Sequence, residues 1–138
     1  ACLVELLARY GCQACTDVTG FGLLGHLGEM LAPGIRVRLD AAALPVHAGA
    51  LELLAAGHAS SLAPSNARAL GLLDRDGPVQ WHGLEGLDRG ALAQLLIDPQ
   101  TCGPLLAALP AAMAPAALEA IKAAGFTQAA LIAEVQAI

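Results

Sequence analysis

The sequence predicts an α+β domain, a mixed sheet with helices packed on it. Three observations lead there. Stretches of helical and of alternating periodicity follow one another, but several connections are too short or irregular for a doubly wound sheet. Ile35-Arg-Val-Arg-Leu-Asp40 alternates apolar and charged residues, the pattern of a strand with one wet face. Pro115 to Ala124 carries a proline near its first helical position and Gly125 just past its end, a matched start and stop.

Taken in order, residues 2–10 read as a helix stopped by Gly11. Residues 13–18 read as a short strand, and residues 21–32 as a helix with Leu23, Leu24, Leu27, Met30 and Leu31 at helical spacing. Pro33-Gly34 is a turn before the 35–40 strand. Val46 to Ala56 reads as a helix ended by Gly57, and residues 58–66 as a polar loop in which Ser65 or Asn66 caps a short helix through Leu72. Val79 to His82 is a short edge strand. Leu87 to Ile97 is a helix capped by Asp88, Gly103 to Leu109 a buried strand, and Ala129 to Val135 a last strand.

The stretch from Cys12 to Met30 organises the chain. A short strand leads to Thr16 and Asp17, a glycine-punctuated turn follows at Gly20 and Gly22, and a helix begins. A carboxylate at such a turn can hold a hard cation. The glycines let backbone approach a ligand, and a helix start offers free N–H groups to an anion. The same residues also suit a plainer role, with Asp17 or Thr19 capping the helix and the glycines making the turn. Spacing alone does not decide between them.

Thr16-Asp17-Val18-Thr19-Gly20-Phe21-Gly22-Leu23-Leu24-Gly25-His26-Leu27 resembles the signature of the selenophosphate synthetase (selenide, water dikinase) family. A second block, Asp98-Pro99-Gln100-Thr101-Cys102-Gly103-Pro104-Leu105-Leu106, is similar to that family's Asp-Pro-Gln-Thr-Ser-Gly-Gly-Leu-Leu, with Cys102 and Pro104 as departures. The resemblance runs along the whole chain and corresponds to the C-terminal half of the family's protein. It implies the C-terminal domain of the aminoimidazole ribonucleotide synthetase-like superfamily, with a mixed, largely antiparallel sheet covered by helices. It also implies a family activity: selenide, ATP and water give selenophosphate, AMP and phosphate. Family members hold the ATP phosphates through Mg2+, and the one C-terminal-domain aspartate among the metal ligands matches Asp17. Thr16, Thr19 and Gly20 are the implied positioning residues on the ATP side. Asn66, with Arg68, stands where this family also carries an Asn, and no role is assigned to either. The family's reactive cysteine or selenocysteine, its lysine and its glycine-rich segment belong to an N-terminal domain. This chain is therefore expected to be inactive alone, to have its own N-terminal domain as partner, and to be a homodimer when full-length. Two alternatives remain: a non-catalytic interaction module of a fused or degenerate relative, and another ATP-using enzyme of the same superfamily.

Composition narrows the field further. The chain has 138 residues, enough for one domain with a real core, and starts at Ala1, as expected of a domain cut from something longer. A net charge of −5 with seven Lys and Arg provides no basic footprint for nucleic acid. From Pro99 to Leu118 no residue is charged, but Pro99, Pro104, Pro110 and Pro115 rule out a spanning helix, so neither nucleic acid nor membrane is an expected partner. An apolar share of 57% fits either an alanine-rich coding bias or a face that docks elsewhere. Cys12 and Cys15 have redox or zinc half-site spacing, but no second ligand pair exists. On a strand they are expected to face opposite ways, as small apolar residues of a reducing cytoplasm. His26, His47, His58 and His82 form no pair at helical spacing, so no histidine metal site can be read.

Overall fold

The computed structural model describes residues 2–138. Helices α1 (Leu3–Arg9), α2 (Gly22–Met30), α3 (Ala50–Ala55), α4 (Ala63–Asn66), α5 (Arg89–Ile97) and α6 (Ala114–Ala123) alternate irregularly with strands β1 (Ala14–Asp17), β2 (Ile35–Asp40), β3 (Val79–His82), β4 (Leu105–Ala108) and β5 (Ala133–Ala137). Two 3-10 segments, Ala41–Ala43 and Ala67–Leu73, complete the list. The α+β class holds. The strands form two small sheets. β1 pairs antiparallel with β4, and β2 lies between β3, its parallel neighbour, and the antiparallel β5.

Alternation on β2 sets the core. Val37 and Leu39 point inward and are about 1% exposed, whereas Arg38 faces water and meets Glu134 at 3.6 Å. Leu24 and Leu27 of α2, Leu96 and Ile97 of α5, and Val79 of β3 close over them. Fully burying side chains of this size contributes about 1.5–3 kcal/mol each. Asp88 caps α5 by accepting from the Ala91 N–H at 2.9 Å, as expected from sequence. A separate helix pair, α1 on α6, uses Leu6, Leu7, Ala117 and Ile121 as its buried residues.

Several boundaries move. The helix expected from Val46 begins only at Ala50, because Gly49 takes a left-handed φ of 84° immediately before it. The last strand runs 133–137 rather than 129–135. β2 ends at Asp40, whose N–H bonds the Ile132 carbonyl, so residues 129–131 have no partner strand. Neither Ser65 nor Asn66 caps the Leu72 segment through its side chain: Ser65 Oγ donates back to the Leu62 carbonyl, and Asn66 is used elsewhere. The strand expected to be buried, β4, is partly open, with Leu105 39% exposed. β5 is exposed along its length, although Val135 shares the face of Val37. An open trough of about 2070 Å³ lies along these strands, with Leu105, Phe126, Leu131 and Val135 on its walls.

Candidate functional site

The two motif blocks, some eighty residues apart, are one object in space. β1 ends at Asp17, and the buried Val18 donates its N–H to the Pro104 carbonyl at 2.9 Å. The Thr19 carbonyl accepts from both the Gly22 N–H (3.1 Å) and the Gln100 N–H (3.0 Å). Glycine is required where the blocks touch. Gly22 has φ 70°, and a Cβ there would stand 2.7–2.9 Å from the backbone of Ile97. A Cβ on Gly103 would fall inside the Val18 carbonyl oxygen. The Gly22 approach is therefore to α5, not to a ligand. Gly20 differs, with no atom within 4 Å of where its Cβ would lie. Cys102, beside this contact, is the one non-glycine residue with positive φ among the described residues, at 56°.

Asn66 locks the arrangement. It is 8% exposed, and its Nδ2 donates to the Gly20 carbonyl at 2.8 Å and the Ile97 carbonyl at 3.0 Å. One amide group thus ties the turn after Asp17 to the end of α5. Sequence reasoning offered Asn66 only as a helix cap and gave it no part in the site. No local signal could have supplied one, since both partners lie more than thirty residues away. Arg68 is exposed and is not drawn into this contact.

The structure sorts the implied site residues by face. Asp17 is exposed, opposite Leu105 in the sheet, and its carboxylate makes no hydrogen bond or ion pair among the described residues. Thr16 lies on the other face of β1, opposite Leu106, and its hydroxyl reaches only the Asp17 carbonyl at 3.4 Å. Thr19 is half-buried, with its hydroxyl 3.1 Å from His26 Nε2. α2 has no side-chain cap, so neither Asp17 nor Thr19 is used in that way. Gln100 Nε2 donates to Asp98 Oδ2 at 3.2 Å, which holds the second block's carboxylate within its own corner.

No group of three His, Cys, Asp or Glu side chains able to enclose a metal occurs among the described residues. The donor set therefore fits a shared site only, with Asp17 as one hard oxygen ligand and the others from elsewhere. The expectation that Cys12 and Cys15 diverge is corrected. Cys12 precedes β1 and turns its Sγ to the Ala14 carbonyl at 3.3 Å, and it borders the same shallow pocket as the exposed Cys15. Burial pushes the Cys15 thiol above its ordinary range, and Cys12 and Asp17 add to that rise. All four cysteines are free.

Residues 1–137 match the family model described as AIR synthase related protein, C-terminal domain. The chain is similar to proteins named selenide, water dikinase. It is 42% identical to that of Myxococcus xanthus over 130 residues, 94% of this chain and 34% of that protein. Against that of Agathobacter rectalis it is 35% identical over 128 residues, 91% and 34% respectively. Against that of Pelobacter propionicus it is 36% identical over 136 residues, 94% and 35%. The chain thus spans about a third of the length of these relatives, less than the half expected from the motifs. The motif geometry and the match over residues 1–137 agree: the chain belongs to the AIR synthase related protein family, as its C-terminal domain.

Proposed function

We propose that the chain is the C-terminal domain of a selenophosphate synthetase, acting with an N-terminal domain in the conversion of selenide, ATP and water to selenophosphate, AMP and phosphate. The observation that carries this reading is Asp17, an exposed carboxylate without a partner on a turn that two distant blocks and Asn66 hold rigid. A surface carboxylate needs no such scaffold. A metal ligand does, since misplacement by an ångström is costly. The names of the relatives support the same reaction. Asp17 would hold Mg2+, which when bound neutralises charge between the carboxylate and the ATP phosphates. Gly20, with open space over it, lets the ATP come close to backbone, and Thr19 shapes that wall, with Thr16 behind it on the other face of β1. The test is selenide-dependent AMP release by the full-length gene product. Asp17→Asn should abolish most turnover, and extra Mg2+ should restore part of it. A mutant equal to wild type refutes the ligand role, and a wild type that releases no AMP refutes the reaction.

The apolar trough favours a second reading, an interaction module whose activity is lost. In that case the full-length product would lack the cysteine or selenocysteine, the lysine and the acidic ligands of the N-terminal domain. In the first reading the trough is a docking face within the full-length homodimer, and the cell compartment is the cytoplasm.

A further inference from the structure

Resting on the cation reading of the Asp17 turn, we propose that His26 is a positioning residue that fixes which way the Thr19 hydroxyl points. His26 is 6% exposed, on the first turns of α2. Its Nδ1 lies 3.1 Å from Glu29 Oε2, and its Nε2 lies 3.1 Å from Thr19 Oγ1. The ring is held from a third side by Phe21, whose centroid is 5.4 Å away at a tilt of 36°. Phe21 can lie there because residue 25 is glycine. A Cβ at Gly25 would stand 2.7 Å from the Phe21 Cβ. The run Thr19-Gly-Phe-Gly-Leu-Leu-Gly-His26 therefore builds a seated imidazole as well as a turn.

The polarity follows from donor chemistry. An ionised Glu29 carboxylate can only accept, so the proton of a neutral ring sits on Nδ1. Nε2 then carries a lone pair and takes the Thr19 O–H as its donor. With its proton committed inward, Thr19 Oγ1 offers only lone pairs outward. Such an oxygen repels a phosphate oxygen and suits a cation or the water that a cation carries. Thr19 is two residues past Asp17, in the turn that follows the end of β1. The Glu29–His26–Thr19 chain thus makes Thr19 an obligate acceptor toward whatever binds beside it; in the cation reading that is the metal held by Asp17, and outer partners of this kind are worth about tenfold in metal affinity.

The test uses the full-length product at pH 8. Long-range 15N–1H spectra of histidine-labelled protein should show His26 protonated at Nδ1 with a bare Nε2. A proton on Nε2 overturns the proposal without reference to activity. Mn2+ binding, followed by electron paramagnetic resonance in the presence of ATP, supplies the second readout. Thr19→Val and His26→Leu should each weaken Mn2+ binding about tenfold. The double variant should be no worse than the worse single, because both act through one oxygen. His26→Gln, which keeps an acceptor for the Thr19 hydroxyl, should recover most of the loss. Additive losses, unchanged binding in Thr19→Val, or failure of Gln to rescue a folded variant overturn the relay. Asp17→Asn separates the two layers. If it leaves Mn2+ binding intact, the cation reading itself falls. If it weakens binding while Thr19→Val does not, only the relay falls.

Discussion

Gly22→Ala tests whether the site is built by the close approach of the first motif block to the end of α5. Two costs add. Residue 22 has φ 70°, and a left-handed conformation costs an alanine about 1–2 kcal/mol. The new Cβ would stand 2.7–2.9 Å from three backbone atoms of Ile97, and overpacking of a tight contact costs about 1–3 kcal/mol. Loss of chain freedom in the unfolded state returns about 0.4–1 kcal/mol. The net expectation is a loss of about 2–4 kcal/mol, a large share of the ~5–15 kcal/mol of a typical domain. With a urea slope of about 2 kcal/mol/M, the midpoint should drop by about 1–2 M. Gly20→Ala is the internal control, being two residues away, outside the left-handed region and without an atom within 4 Å. It should shift the midpoint by less than about 0.3 M. Equal midpoints for the two variants would refute the claim that Gly22 serves close approach to α5. A Gly22 variant that is destabilised yet binds Mn2+ normally would refute the further claim that this contact holds the Asp17 turn in place.

The remaining expectations are narrower. Asn66→Ala removes the donor to two carbonyls and should cost about 2–4 kcal/mol in urea unfolding, whereas loss of an exposed amide would cost almost nothing. Asp17→Asn should leave the unfolding free energy within about 0.5 kcal/mol of wild type while activity of the full-length product falls, separating a ligand from a structural residue. Cys15 should react with iodoacetamide more slowly at pH 7.5 than a free thiol, because burial, Cys12 and Asp17 favour its protonated form. Because the folded-state value is raised, the Cys15 contribution to stability is complete below the ordinary thiol value of about 8.5 and is lost as pH rises through the folded value. Urea midpoints should therefore decline above about pH 9, and less steeply in Cys15→Ser.

Local chemistry made most of the elements legible. The Ile35–Asp40 alternation, the Asp88 cap and the Pro115 to Gly125 start and stop each act within a few residues, and each is found where expected. Errors cluster where distant partners decide. β5 begins at Ala133 because β2 runs out at Asp40, and nothing in the alanine-rich 129–132 stretch records that. The separation of β1 and β4 from the other three strands is likewise a matter of pairing, not propensity. Within the site, local chemistry left Asp17 open between a helix cap and a cation ligand, and the structure removes the cap, since α2 has no side-chain cap. The part played by Asn66 was not legible, because its amide acts on carbonyls at positions 20 and 97. Glu29 was not singled out from the sequence, and 58% of its side chain is exposed. Only the structure shows it against the buried His26.

The motif does two jobs, and they weigh differently in an argument about function. Val18 is buried, Gly22 meets the Ile97 backbone, Gly25 makes room for Phe21, and Gly103 meets the Val18 carbonyl. Any chain that folds this corner needs these features, whatever reaction it serves. Their presence therefore argues for the domain family and says little about the substrate. The outward set is much smaller: Asp17 unpaired, Gly20 open, and the Thr19 oxygen whose direction His26 sets. A relative that changed its acceptor could keep every packing residue and alter only the surface that faces the reacting groups. In the proposed reading, function turns on Asp17 and Thr19 rather than on the packing residues. Substitutions there should separate catalysis from folding, and substitutions at Gly22 or Gly103 should not.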